Sequence, residues 1–391
     1  MRELNAAAVS AGLTGFIWYA CGALPLQLAL SAALGLSAGS VFIVWATGGA
    51  ASIVLSLRLR QPIPVAWSIP ALVYVASLAG RFNAAEIAGA TLVSAVMLAA
   101  FVLAGGGSRL MRWLPMPIVM ATFAGSLLEY MHRAIAATLA DAMIAGSVVA
   151  GYFAARLIAS PRVPPVGIAL VVGSLAVAVQ GPVSLGEFAW SFPTLEVPRF
   201  QFDPAAITAV SVPLVVFALG LGNAQGLGFL RAQGYEVPVD RVSRAVAMGS
   251  LINALFGGTP ATVARNAAAL LAGPDAGPAR GRYWGVLISS ALTVAMACAL
   301  APFAALMAAL PASFAVTLAG VALVSSLQDA LEKAFAGALR FGAVLAFVVA
   351  ATPFSLGGIT SGFWALVAGI LASLVARESG LPFWDLRRQK P

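Results

Sequence analysis

Charge is what this sequence has least of. Of its 391 residues only 9% are Asp, Glu, Lys or Arg, against about a quarter in an average soluble domain. A chain this poor in charge cannot cover a water-facing surface, and with 61% hydrophobic residues its solvent must be lipid. No stretch is long and polar enough for a separate soluble domain. There are two cysteines, Cys21 and Cys298, both inside apolar runs, which excludes a disulfide framework and a CxxC metal motif. The one histidine, His132, and the scattered carboxylates form neither a catalytic metal cluster nor a nucleophile-base constellation. No cofactor is expected and enzyme readings are poor. The net charge of +8 sits in short loops between apolar runs, a topology signal and not a nucleic-acid stripe.

What is present is a series of apolar runs. Each membrane-crossing helix needs about 20 apolar residues. The runs fall at about 5–32, 38–59, 66–80, 84–104, 110–129, 139–158, 165–181, 206–230, 241–256, 259–272, 283–303, 311–328, 337–353 and 360–376, fourteen in all. The first is too long for a cleaved signal peptide and reads as a span. With the N-terminus in the cytoplasm and all fourteen alternating, 18 of the 22 Lys and Arg fall inside. Only Arg81, Arg133 and Arg199 fall outside, and Arg265 lies within a segment. Cytoplasmic loops carry such an excess, so the split supports the count and places both termini inside. The longest loop, 182–205, divides the chain into two halves of seven segments. An odd number per half turns the second half upside down, giving an inverted repeat.

Two short segments, the third and the tenth, carry proline where a helix should begin. One reads Pro62-Ile-Pro-Val-Ala-Trp67-Ser68-Ile69-Pro70-Ala-Leu-Val73, the other Phe256-Gly-Gly-Thr259-Pro260-Ala-Thr-Val263. Aligning Pro70 with Pro260 predicts a half-helix from each proline, with Thr259 as an N-cap and extended chain before it at 62–67 and at Gly257-Gly258. The paired N-termini then face each other at mid-membrane and suit an anion. Simple kinks are the alternative.

Charges inside a bilayer are functional by default. Arg265, roughly 7 Å along the tenth half-helix by its rise per residue, either supplies a fixed positive charge or braces the helix through its carbonyls. In the eighth segment, Asn223 and Gln225 lie among Gly220, Gly222, Gly226 and Gly228. They form either a packing seam or part of a site, with Trp18 and Tyr19 of the first segment as polar rings in its counterpart. Trp67 and Ser68 offer an aromatic wall and a hydroxyl. Asn253 and Asn266 read as glue between helices, and Glu129 with Arg133 as an exposed i,i+4 pair beside a solvated His132.

Several short motifs together resemble the benzoate/proton symporters of bacterial inner membranes, relatives of the nucleobase-ascorbate, sulfate-permease and bicarbonate transporters. They are Pro64-Val-Ala-Trp-Ser-Ile-Pro70, Met111-Arg-Trp-Leu-Pro115, Gly222-Asn-Ala-Gln225 leading to Gln233-Gly-Tyr235, Phe256-Gly-Gly258, and the Pro278-to-Trp284 loop with Arg280 and Arg282. The resemblance implies an all-α polytopic fold of fourteen segments in a seven-plus-seven inverted repeat. It places a core domain at 1–104 and 206–305, a gate domain at 105–181 and 306–377, an extracytoplasmic loop at 182–205 and a cytoplasmic tail at 378–391. It implies import of a small organic anion such as benzoate with protons, the core moving against the gate by an elevator or rocking motion. A homodimer through the gates, surrounded by lipid and without nucleic acid, is what related folds imply. The expected substrate contacts are Tyr19, Trp67, Ser68, Ile69, Pro70, Asn223, Gln225, Thr259, Pro260, Arg265 and Asn266. The chain departs from the resemblance after Phe256-Gly-Gly258, where Thr259-Pro260 and Arg265-Asn266 replace a His-containing stretch and an Asn-Leu-Ala-Ala-like run. Nucleobase relatives use a glutamate in the eighth segment, where this chain has Asn223 and Gln225. An inorganic-anion exchanger or channel on the same fold, or a non-transporting scaffold, are the competing expectations.

Overall fold

The computed structural model describes residues 4–105, 115–158, 165–181, 192–302, 309–356 and 359–379. Arg2, Arg109, Met111 to Leu114, Arg162, Glu187 and the tail beyond Ser379 lie outside the described residues. Four of the described helices are long and apolar enough to cross a membrane: Ala38–Leu59, Ala84–Leu103, Pro204–Arg231 and Ala312–Phe335. Shorter apolar helices include Ala6–Trp18, Leu24–Ala33, Ile144–Ile158, Pro165–Gln180, Arg340–Ala351 and Ser361–Val375. The first segment is one helix in which Tyr19–Ala23 winds as a π turn. The eighth likewise contains π turns at Ile207–Ser211 and Phe217–Ala224. Widened turns of this kind recur at functional sites, and here they hold two of the expected contacts, Tyr19 and Asn223.

The chain divides into two compact units. The first comprises Met1–Pro64, Glu129–Glu196 and Ala269–Ser325. In it the Tyr283–Cys298 helix packs against both Ala6–Trp18 and Ala38–Leu59. Small residues set these distances: a Cβ on Gly12 would lie 2.9 Å from the Gly285 carbonyl oxygen, and one on Gly49 2.5 Å from a Val294 methyl. Ile144–Ile158 lies along Pro165–Gln180, sealed by Val148, Tyr152, Ala169 and Phe314. Tyr19 is buried in this unit, its ring edge-on to Trp45 at 5.8 Å. Glu129 and Arg133 form the expected exposed pair.

The second unit comprises Val65–Leu128, Val197–Ala268 and Ser326–Pro391. Here Ala84–Leu103 packs on Val239–Leu255, and Arg340–Ala351 on Ser361–Val375. The Tyr74 hydroxyl donates to the Ala209 carbonyl at 2.7 Å, and its ring meets Phe217 edge-on. At the far end Glu378 caps the Arg340–Ala351 helix, accepting from the amides of Phe341 and Gly342 at 2.7 and 3.1 Å and from the Ser373 hydroxyl at 2.7 Å. Partial burial raises its pKa, but these donors lower it more, so it lies below the ordinary carboxylate value. A depressed pKa stabilises the fold above the unfolded value of about 4.3 and loses that contribution as pH falls through the folded value. Glu378→Gln should therefore melt earlier than the native protein at neutral pH, with the difference closing in acid. A difference that is constant with pH would show that charge plays no part in the cap.

The broken segments are paired strands. β1, Val65–Trp67, runs antiparallel to β2, Ala261–Val263, with Val65 opposite Val263 and Trp67 opposite Ala261. The Ser68 amide extends the ladder by donating to the Pro260 carbonyl at 3.0 Å. This corrects the reading of the tenth segment. Pro260 does not start a helix and Thr259 does not cap one. Chain pairing with residues about 200 positions away holds this stretch extended, Thr262 and Val263 suit a strand, and proline at the ladder's end need not donate. The helix begins five residues later, as Arg265–Ala272, so Arg265 is its first residue and not a turn and a half inside it. Gly257 is not extended either. It has φ +77° and ends the Val239–Leu255 helix, with the Gly258 amide returning to the Asn253 carbonyl at 2.8 Å. The third segment follows its expectation more closely: Val65–Trp67 is extended and the Ile69–Ser77 helix has Pro70 in its first turn. Its cap is Ser68, whose hydroxyl accepts from the Ala71 amide.

Candidate functional site

Backbone without helical hydrogen bonds is costly at membrane depth unless protein groups satisfy it. Around β2 they do. Ser250 accepts from the Ala261 amide at 3.0 Å, Asn223 Oδ1 accepts from the Val263 amide at 2.9 Å, and Asn253 Nδ2 donates to the Thr259 carbonyl at 3.0 Å. Asn253 is thus glue, but between a helix and the chain leading into a strand. Two glycines let the Phe217–Ala224 turn and the helix after it come this close. A Cβ on Gly222 would stand 2.3 Å from the Thr262 methyl, and one on Gly226 2.5 Å from the Val263 carbonyl oxygen. Of the two readings of this glycine-rich stretch, the packing seam is present, and the seam is against a strand.

A charge cluster stands where the Arg265–Ala272 helix starts. Arg265 Nη1 donates to Asp329 Oδ1 at 2.8 Å. Lys333, one turn beyond Asp329, donates to Asp329 Oδ2 at 2.7 Å and to Gln225 Oε1 at 2.9 Å. Gln225 Nε2 in turn faces the Met120 sulfur at 3.2 Å. Two cations share one carboxylate, so the three side chains carry a net charge of +1. The next carboxylate, Glu332, is exposed and bonded to Gln328.

Donors remain unused in the cluster. An arginine has five N–H groups and a lysine three. Among the described residues Arg265 makes one hydrogen bond and Lys333 two. The side chains of Arg265, Asp329 and Lys333 are 37%, 32% and 34% exposed, so none of the three is sealed inside the protein. The helix N-terminus behind Arg265 adds partial positive charge. Asn223 Nδ2 is buried without a partner among the described residues, as is the Thr259 hydroxyl.

Ten of the eleven expected contact residues fall in this second unit, and Tyr19 belongs to the first. Trp67 is a buried strand residue, Ile69 and Pro70 form the first turn of their helix, and Ser68 uses its hydroxyl as a cap. Pro260 closes the ladder, and Asn266 is exposed beside Arg265. Asp329 and Lys333 are additions. The twelfth segment, read as ending at 328, continues as helix to Phe335. The signal available was the i,i+4 spacing of Asp329 and Lys333, which a hydropathy boundary cuts away.

The comparisons with known proteins agree with this architecture. A profile of the benzoate membrane transport protein family matches residues 2–375. The chain belongs to that family. It is an integral, multi-pass membrane transport protein, as the other members are. Among its family relatives are the inner membrane protein YdcO of Escherichia coli (strain K12), 30% identical over 329 residues and 82% of each chain, and the benzoate membrane transport protein of Acinetobacter baylyi, 25% identical over 339 residues and 85% of each chain. Solved structures share the fold at low identity. The transmembrane domain of a cyanobacterial bicarbonate transporter, BicA, matches with a TM-score of 0.59 and 18% identity, covering 95% of this benzoate-family chain and 96% of that one. The inward-facing murine Slc26a9 anion transporter matches with a TM-score of 0.62 and 15% identity, covering 96% and 69%.

Proposed function

We propose that this protein moves a small organic anion, benzoate or a similar aromatic monocarboxylate, across the bacterial inner membrane. The observation that carries the reading is the net-positive cluster of Arg265, Lys333 and Asp329, with unused donors, at a helix N-terminus beside a strand pair. A carboxylate takes the free N–H groups of Arg265 side-on, since a guanidinium presents parallel donors to its two oxygens. Lys333 and the orphan amide of Asn223 are further donors within the same unit. An apolar surface is near: Phe123 stands one turn beyond Met120 on the helix face that meets Gln225, and its ring lies edge-on to Phe217 at 6.2 Å. A benzoate ring fits such a surface, and the Acinetobacter baylyi relative carries benzoate in its name.

In this reading the fourteen segments form an inverted repeat with both termini cytoplasmic. The core containing the strand pair moves against the gate, and protons drive import. Inorganic anions are the second reading, favoured by the shared fold of the bicarbonate transporter and of Slc26a9. Titration of the detergent-purified protein by calorimetry separates them. Saturable heat with benzoate, undiminished by excess chloride, sulfate or bicarbonate, is the expected result. Heat with an inorganic anion and none with benzoate would transfer the site to the second reading.

A further inference from the structure

We propose that Asp329 is the charge-setting residue of the carboxylate site: it holds the cluster at a net +1 and thereby selects monovalent anions over divalent ones. The inference rests on the site proposed above. Its ground is the sharing geometry. Asp329 places one oxygen on Arg265, 64 residues away in sequence, and the other on Lys333, one turn along its own helix. A carboxylate placed only to brace a helix needs one cation, and Lys333 supplies it locally. Reaching Arg265 as well cancels one of the two positive charges while leaving four of the five Arg265 N–H groups and one of the three on Lys333 open.

The consequence is electrostatic. In a partly buried site opposite charges are felt strongly. Two cations alone would attract a dianion far more than a monoanion. With Asp329 in place the cluster is matched by one carboxylate, and a second carboxylate on the substrate meets Asp329 as a like charge without a partner. No other described acidic side chain bonds either cation; Glu332, exposed on the same helix, accepts from Gln328 Nε2 at 2.8 Å and adds only a solvent-screened negative field at Lys333. Asp329 is a specificity residue that acts by repulsion, and not a substrate donor.

The test compares two ligands of nearly equal bulk and different charge, phthalate and its monomethyl ester, with benzoate as reference. Binding is measured by calorimetry on purified protein at mildly alkaline pH. The native protein should prefer the monoester to phthalate by about ten-fold or more, the scale of one tenfold affinity step. Asp329→Asn should erase or reverse that preference. The double variant Asp329→Asn with Lys333→Gln restores a net +1 and should restore the preference for the monoester. A purely structural Asp329 predicts instead that both variants weaken all three ligands together, with the ratio unchanged, and that result overturns the proposal. Should Asp329→Asn fail to fold, Lys333→Gln lowers the cluster to zero charge and must weaken benzoate by about ten-fold; an unchanged affinity there also overturns it. Failure of the site itself is read separately, from Arg265→Gln: benzoate binding that survives that change rejects the carboxylate site, whatever the two ratios do.

Discussion

If the proposed carboxylate site holds, Arg265→Gln should lower benzoate affinity by about ten- to a hundred-fold and leave the melting temperature of the empty protein nearly unchanged. The first half follows from the donors. A charge-assisted hydrogen bond contributes about 1.5–3 kcal/mol, and each 1.4 kcal/mol is tenfold in affinity. The second half follows from the partners left behind. Arg265 and Asp329 are each about a third exposed, a setting in which one ion pair contributes about 0–1 kcal/mol. Asp329 keeps Lys333 at 2.7 Å, so removing Arg265 strands no buried carboxylate. Arg265→Lys should recover part of the affinity, since it keeps the charge and loses the side-on geometry. Calorimetry with benzoate beside thermal melting of the ligand-free protein reads both halves. A variant that melts far earlier yet binds normally would make Arg265 a brace for its helix, the other role its position in the sequence allowed.

The second large effect is steric. Gly226→Ala should destabilise the protein by about 1–3 kcal/mol, the usual cost of forcing a methyl into a filled space, and abolish uptake. Its new Cβ would stand 2.5 Å from the Val263 carbonyl oxygen, which is backbone inside a paired strand and cannot rotate away. The helix must then retreat from β2. Asn223, on the preceding turn, would lose its 2.9 Å bond to the Val263 amide, leaving a strand amide unpaired in an apolar setting. Gly228, two residues on, is the control: a Cβ there meets nothing within 4 Å. Gly228→Ala should be neutral or stabilise by up to about 1 kcal/mol through helix propensity. Melting temperature and benzoate uptake of the two variants decide the matter. Equal stability of Gly226→Ala and Gly228→Ala would mean the close approach to β2 is dispensable.

The legible part of this protein was what local chemistry dictates. Scarcity of charge required lipid as the solvent, and proline with glycine marked 62–70 and 257–265 as places where a helix cannot run on. Arg265 stood out because a lone cation among apolar residues has no cheap explanation. Ser68 was read as a hydroxyl beside the break, and its capping role follows from the proline two residues later. The start of the tenth-segment helix was not legible. Proline at 260 favours a helix start on local grounds, but the ladder from Val65 to Ser68 takes up that stretch instead, and a hydrogen-bond partner about 200 residues away leaves no trace in local propensity. Asp329 escaped for a related reason. As a residue at a segment's polar end it looks like loop, and only the fold brings it to Arg265. The sequence by itself determined which solvent surrounds the chain and where its helices break, because transfer free energy and backbone chemistry act residue by residue. The tertiary structure alone decided where the broken helices resume and which charges meet, because those depend on pairing between segments that have no local means of specifying each other.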